Sequence, residues 1–316
     1  MIKKKVLILG ASGQIGKHLI RKLTKNNYKA ICQTRNAHKS VFLKTSGQLG
    51  YIDILELNIF DSKKLEQAIS SADVCINLIG ILFEKGKINT FKNIHTKLPE
   101  IVSSICEKYK VQFIHFSALG VEKAKDSEYA KSKFNGENKI LENNNDAVII
   151  KPSIVFSVSD SFTTKFLSYL SYLPFFPIYY GGKTKFMPIH ASDVAELIYF
   201  VISKELKNKK IEAIGPETIT FKEMLSIMLK CINKQKILLP MPLPLAKLSA
   251  SFFQLMPNPI LTIDQLKLLK YDNIKSNGGF TNSDIGLPSK IKFEEGIMKY
   301  SYNWKEGGQY NLKKII

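Results

Sequence analysis

Arginine is almost absent from this chain: of 46 basic residues only two, Arg21 and Arg35, carry a guanidinium, and lysine supplies the rest. With no arginine-rich segment and no interleaving of basic and aromatic residues, the net charge of +19 is not expected to mark a nucleic-acid partner. The lysines are scattered over a chain rich in Ile and Asn, as compositional drift would leave them. Cysteine is sparse as well. Cys32, Cys75, Cys106 and Cys231 stand too far apart to form a disulfide framework or a metal-ligand set, and they fit a reducing, cytoplasmic setting. No apolar run reaches the ~18 residues that span a bilayer. Lys3-Lys4-Lys5 lead straight into an apolar run, which excludes a cleaved signal peptide as the reading of this segment. No internal repeat interrupts the 316 residues, and 45% apolar content suffices for one large core or two unequal lobes.

What is present begins at Val6-Leu7-Ile8-Leu9, a buried-strand pattern that runs directly into Gly10-Ala11-Ser12-Gly13-Gln14-Ile15-Gly16. A strand, a glycine-punctuated turn and a helix in succession bring backbone N–H groups and a helix N-terminus to where a pyrophosphate can sit. Gly10 suits the tight turn, Gly13 lets backbone approach phosphate, and Gly16 lets the helix pack closely on the sheet. Ser12 adds a hydroxyl donor. Leu19, Ile20 and Leu23 give the next segment the apolar face of a helix, which is the context the loop requires. A dinucleotide is the expected ligand. At the end of the second strand stand Gln33-Thr34-Arg35-Asn36, with no acid to accept from a ribose 2′-hydroxyl and with Arg35 able to pair with a 2′-phosphate. NADP(H) is therefore favoured over NAD(H), against the alternative that Arg35 is a solvated loop cation.

Short β-rich runs at 5–9, 29–34, 51–56, 73–79, 111–117 and 147–151 alternate with helical patterns at 14–26, 62–70, 91–109 and 129–144. This alternation predicts an α/β fold, a doubly wound parallel sheet of Rossmann type. Residues 1–150 are assigned to the nucleotide-binding domain. Residues 151–316 are assigned to a mixed C-terminal region, part returning to the sheet and part forming a substrate lobe. Asp61 lies where such folds contact adenine, and it equally suits the N-cap of the helix beginning at Ser62. Leu78 and Gly80, in Asn77-Leu-Ile-Gly80, end the fourth strand where the middle of the cofactor passes. The aromatic stretch from Phe166 to Tyr180 is read as core or pocket lining ahead of external docking. Residues 240–261 form a second apolar, proline-marked stretch whose helix, about Leu245 to Leu255, suits either a membrane surface or packing on the fold. Asn311 to Ile316 read as a basic tail.

Tyr129 and Lys133, four residues apart, share one face of a predicted helix, and Ser117 ends the fifth strand at the carboxyl edge of the sheet. A lysine beside a tyrosine stabilises the phenolate and makes it useful for moving a proton. The three residues could hydrogen-bond a substrate oxygen and transfer its proton while a nicotinamide transfers a hydride. His190 and Asp193 are read instead as a structural neighbour and a helix cap.

The glycine loop, Ser117, Tyr129 and Lys133 together resemble the extended and atypical short-chain dehydrogenase/reductase superfamily, of the NAD-dependent epimerase/dehydratase kind. Asn77-Leu-Ile-Gly-Ile-Leu82, His115-Phe-Ser-Ala-Leu-Gly120, Lys151-Pro-Ser153, Gly181-Gly-Lys-Thr-Lys-Phe186, Gly215-Pro-Glu217 and the run from Asp264 to Asp272 resemble one branch. That branch holds the NAD(P)H-binding accessory subunit of respiratory complex I and its bacterial relatives. The resemblance implies a bound nucleotide in contact with Gly10, Ser12, Gly13, Gln14, Ile15, Gly16, Arg35, Asp61, Leu78, Gly80, Tyr129 and Lys133. It implies either an accessory role beside complex I, as a monomer peripheral to the inner face of a membrane, or a reductase, epimerase or dehydratase acting on an apolar or quinone-like substrate. Lys151 departs from the family, which more often has arginine there, and residues 281–316 match weakly.

Overall fold

The computed structural model describes residues 2–158, 160–254, 259 and 261–308, which leaves the tail at 311–316, Leu255 and part of the 240–261 stretch outside the described residues. The chain divides into two compact units, one of Met1–Pro152, Ala191–Ala213 and Asn277–Leu287, the other of Ser153–His190, Ile214–Ser276 and Pro288–Ile316.

The first unit is built on a seven-stranded sheet. Its strands are β1 (Lys5–Leu9), β2 (Lys29–Thr34), β3 (Ile52–Glu56), β4 (Val74–Asn77), β5 (Gln112–Phe116), β6 (Val148–Pro152) and β7 (Lys209–Ala213). Every pairing is parallel, in the order β7-β6-β5-β4-β1-β2-β3. Parallel strands are covered on both faces, so the central ones need continuous apolar runs. Val6, Leu7, Ile8 and Leu9 of β1 are all fully buried, as are Val74, Cys75 and Ile76 of β4. Alternate residues (Leu7, Leu9, Cys75, Phe113, Ile149) face a core completed by α2 (Ser62–Ser70), α3 (Leu98–Lys108) and α4 (Glu128–Asn143) through Leu65, Ile69, Val102, Cys106 and Ile140. Helices α1 (Gln14–Lys25) and α5 (Ala191–Ser203) pack on each other, with Lys22 paired to Glu196 and Tyr28, just past α1, in edge contact with Tyr199 at 6.0 Å. The strand order reverses between β1 and β4, and the crevice beyond their carboxyl ends is where folds of this topology hold ligands.

The expected alternation and its six strands are present, with no strand end moved by more than two residues. The predicted helix over 91–109 starts as a π turn at Lys92–Lys97 before becoming α3. No strand was placed at β7, although part of the C-terminal region was expected to return to the sheet. Strand β7 pairs with β6 at the sheet edge, and Lys209 and Lys210 keep it from showing an apolar run. Residues 280–282 run beside it, with Glu212 N donating to Phe280 O and Asn282 N to Glu212 O.

Among the described residues the second unit contains two-stranded pairings, of Val155–Phe156 with Ile189–His190, Lys185–Phe186 with Ile219–Thr220, and Phe175–Ile178 with Ile237–Pro240. Its core is aromatic and sulfur-rich: Phe156, Phe176, Phe221, Met224, Met228 and Phe293 are buried, with Phe156 and Phe293 in edge contact at 5.0 Å. The aromatic stretch is split. Phe166 and Phe176 enter this core, whereas Tyr172 and Phe175 lie outside it. Among the described residues no helix is long and apolar enough to cross a membrane, and no cluster of His, Cys, Asp and Glu could hold a metal.

Candidate nucleotide site

The glycines of the loop do what a phosphate-binding turn needs. Gly10 adopts a φ of +81°, and a Cβ there would lie 3.1 Å from Ile79 Cγ1. At Gly16 a Cβ would fall 2.2 Å from Ala11 O, so only hydrogen lets α1 seat on the turn. Gly13 is the N-cap of α1, contributes no side-chain cap and is exposed beside exposed Ser12, with Gln14 and Ile15 opening the helix. A backbone cradle at an uncapped helix N-terminus fits a diphosphate. Gln33, buried in β2, holds this turn in place: its Oε1 accepts from Gly10 N at 3.1 Å and its Nε2 donates to Leu57 O at 2.7 Å. Arg35 follows β2 and is exposed. Asp61 is the N-cap of α2 and accepts from Lys64 N at 3.2 Å, so its carboxylate is at least partly engaged in the capping role.

On the other side of the switch point, Asn77 Oδ1 accepts from Ile79 N at 3.1 Å and Leu78 N donates to Leu9 O at 3.0 Å, which curls the end of β4 beside the glycine turn. A Cβ on Gly80 would meet Lys133 Nζ at 3.4 Å and His95 Nε2 at 3.8 Å, which brings Gly80, Lys133 and His95 together. His95 links the two sides. Its Nε2 accepts from Ile81 N at 3.0 Å, so Nδ1 carries the proton and donates to Ser132 Oγ at 3.0 Å, which in turn donates to the carbonyl of Tyr129 at 2.8 Å. Burial, with Lys133 and His115 nearby, drives the His95 pKa down to about 2, so the imidazole is neutral in this chain of bonds. The π turn carries His95 against α4, where Gly136 would place a Cβ 1.9 Å from the His95 carbonyl.

Helix α4 starts at an N-cap, Ser127, that accepts from Ala130 N at 3.2 Å. Its buried face is polar, including Ser132, Lys133 and Glu137. Tyr129 is half-buried, its ring in edge contact with His95 at 5.2 Å and Phe91 at 5.9 Å. The Lys133 ammonium donates to Phe116 O at 2.8 Å, and its burial lowers the pKa from 10.5 to about 8, partly opposed by Glu137. Ser117, nearly buried, hydrogen-bonds the Glu137 carboxyl. Glu137 lies 3.8 Å from Lys151, which pairs with Glu122 at 2.8 Å. Burial pushes the Glu137 carboxyl above the usual carboxylate range, against Lys151 and Ser117. The structure thus joins Lys133 to Gly80 and His95, and gives Ser117 to a Glu137–Lys151–Glu122 network.

The roles of Gln33, His95, Glu137 and Lys151 were missed by sequence reasoning, because each ties together elements 14 or more residues apart and no local periodicity marks the partner. The cap assigned to Asp193 is corrected: α5 already begins at Ala191, and Asp193 lies inside its first turn. In the second unit His190 packs edge-on against Phe156 at 5.2 Å.

Comparison with known proteins extends these observations. The mitochondrial NADH dehydrogenase [ubiquinone] 1 alpha subcomplex subunit 9 of Arabidopsis thaliana is 26% identical over 300 residues, covering 90% of this chain and 74% of the relative. The mouse protein of the same name is 24% identical over 305 residues, covering 94% and 81%. Among solved structures, MoeE5 in complex with UDP-glucuronic acid and NAD superposes with a TM-score of 0.69 at 14% identity, over 95% of this chain and 98% of that one, a likeness of fold. The glycine cradle, the uncapped α1 and the exposed Gly80 fit the nicotinamide dinucleotide that such neighbours hold. The profile of the NAD dependent epimerase/dehydratase family matches residues 6–215, well over half of the chain, which therefore belongs to that family.

Proposed function

We propose that this protein is an NADP(H)-binding accessory protein of the respiratory complex I type, monomeric and peripheral to a membrane, in which the nucleotide holds the fold. The observation that carries the structural role is the bonding of the Ser117 hydroxyl to buried Glu137, which leaves the would-be carbonyl-orienting group inside a charge network. The relatives named as complex I subunits, matched along nearly the whole chain, support the setting. Arg35 at the end of β2, with no carboxylate beside it in the Gln33-Thr34-Arg35-Asn36 turn, favours a 2′-phosphate and hence NADP(H). Ser12, Gly13 and the first turn of α1 would hold the pyrophosphate, and Leu78 and Gly80 would flank the nicotinamide half.

The test is to purify the protein from its own membranes without added nucleotide, identify what it retains by mass spectrometry, and resolve the native respiratory complexes. Retained NADPH and co-migration with NADH:quinone reductase activity are expected. A protein that migrates alone and consumes NADPH freely overturns the assignment.

A second reading, an active reductase, epimerase or dehydratase, draws on Lys133. A buried ammonium with a pKa of about 8 is tuned for a site that moves protons. A bound nicotinamide supplies or accepts a hydride; Tyr129 would give the proton to an apolar or quinone-like carbonyl, and Lys133 would hold the phenolate. Tyr129→Phe should then abolish turnover and spare nucleotide binding.

A further inference from the structure

The helix Leu243–Phe253 is amphipathic in the wrong direction for a water-soluble surface. Its buried residues are the small Ala246 and Ala250, fully covered in a cluster with Tyr179 and Leu266. Its outward residues are large: Leu245, Leu248 and Phe252 are 56%, 69% and 70% exposed, and their i, i+3, i+7 spacing puts them on one stripe. The ribbon that leads into this helix through Met241 and Pro242 repeats the inversion. Ile237 pairs with Phe175 and Leu239 with Pro177, and on this face Phe175, Ile237 and Leu239 are exposed while Phe176 and Ile178 on the other face are buried. Tyr172, just before the ribbon, is 84% exposed. Apolar side chains gathered in one place on a surface mark a site that something covers.

Charge identifies what covers it. No Asp or Glu occurs between Asp160 and Asp193 or between Glu223 and Asp264, the two stretches that supply the ribbon and the helix. These stretches carry seven lysines, of which Lys230 pairs with Glu294 and Lys234 donates to Ser171 O, while Lys165 and Lys247 are exposed. Large apolar groups with cations and without carboxylates match the interface of an anionic bilayer, where lysines meet phosphates and a carboxylate would be repelled. We propose that the outward face of the Phe175–Ile178/Ile237–Pro240 ribbon and the Leu243–Phe253 helix is a docking surface for an anionic lipid bilayer, on which the helix lies in the plane of the headgroups. The surface rests on the membrane-peripheral part of the proposed function, for which it names the contact, and is independent of the complex I part.

Flotation of the full chain with vesicles of phosphatidylcholine, and of an equimolar mixture with phosphatidylglycerol, reads the proposal. The protein should float with the mixed vesicles, less with the neutral ones, and less again in high salt. The double substitution Leu248→Glu/Phe252→Glu should lower partitioning by about tenfold or more, two lost anchors being enough for that. Because both side chains point outward, circular dichroism and nucleotide retention should not change, and the milder Leu248→Ser serves if they do. No flotation with mixed vesicles, or equal flotation of the variant, overturns the proposal. So does a concentration-dependent dimer in light scattering that the variant abolishes while vesicles bind nothing, which would make a second copy the occupant. Flotation without co-migration with the quinone reductase removes only the accessory assignment, and co-migration without flotation removes only this surface.

Discussion

The two units spend their apolar residues differently. In the first, the large aliphatic side chains of β1, β4 and β6 are buried on both faces of a continuous sheet, and buried Gln33, Asn77, His95 and Lys133 hydrogen-bond near its carboxyl end, where the nucleotide site is built. In the second, separate two-stranded ribbons and short helices enclose an aromatic core. Both units leave large apolar side chains in solvent, Leu49 and Ile88 in the first as well as Tyr172 in the second, but the second gathers Phe175, Ile237 and Leu239 on one ribbon face and Leu245, Leu248 and Phe252 on one helix stripe. A sheet that closes its hydrophobic surface inward can hold a loop to the tolerance a diphosphate demands. A unit that gathers exposed apolar side chains on adjoining elements is shaped for contact. Rigidity and adhesion are thus divided between two parts of one chain.

The largest blow to the first unit should come from Gly16→Val, whose Cβ must displace the backbone of Ala11. A loss of about 4 kcal/mol in urea denaturation, with nucleotide binding gone in calorimetry, is expected. His95→Ala takes away the acceptor of Ile81 N and the donor to Ser132 Oγ and opens a cavity beside Tyr129. It should cost about 3 kcal/mol and loosen nucleotide retention, and an unchanged melting curve would show that the tie across the switch point is dispensable. Lys133 sharpens the comparison through pH. Its folded pKa, about 8, lies below the unfolded 10.5, so burial penalises the charged form fully below about 8. Between those values the unfolded chain keeps a proton that the folded one has released, and stability rises with pH. Relative to Lys133→Met, the wild type should therefore gain about 2 kcal/mol as pH climbs through that window. The smallest effect belongs to the second unit: Leu248→Ser, on the exposed stripe, should change stability by no more than about 0.5 kcal/mol. A larger loss would mean that Leu248 belongs to the core.

Much of the first unit was legible because its physics is local. An apolar run, a glycine turn and a helical stripe predict β1, the phosphate loop and α1 within a residue, and fully buried strands announce themselves by composition. The edge strand β7 did not, since Lys209 and Lys210 face solvent there and erase the pattern. The site was half legible. Tyr129 and Lys133 stand at helical spacing, and Gly80 follows shortly after the end of β4. The tie through His95 depends on a π turn that no periodicity reveals, and the partner of Ser117 lies 20 residues away on another element. In the second unit composition marked the aromatic stretch, but which rings turn inward depends on the ribbon register, which pairs Phe175 with Ile237.

The Gln33 amide bears on how long the protein lasts as well as how it folds. It offers one acceptor to Gly10 N–H and one donor to the Leu57 carbonyl, and no other uncharged side chain of that length does both. Hydrolysis of that amide would leave a carboxylate facing the Leu57 oxygen and set a negative charge behind the diphosphate cradle. Deamidation at one buried position would thus age the nucleotide site from within, and the close packing that excludes water from Gln33 also protects it from that chemistry.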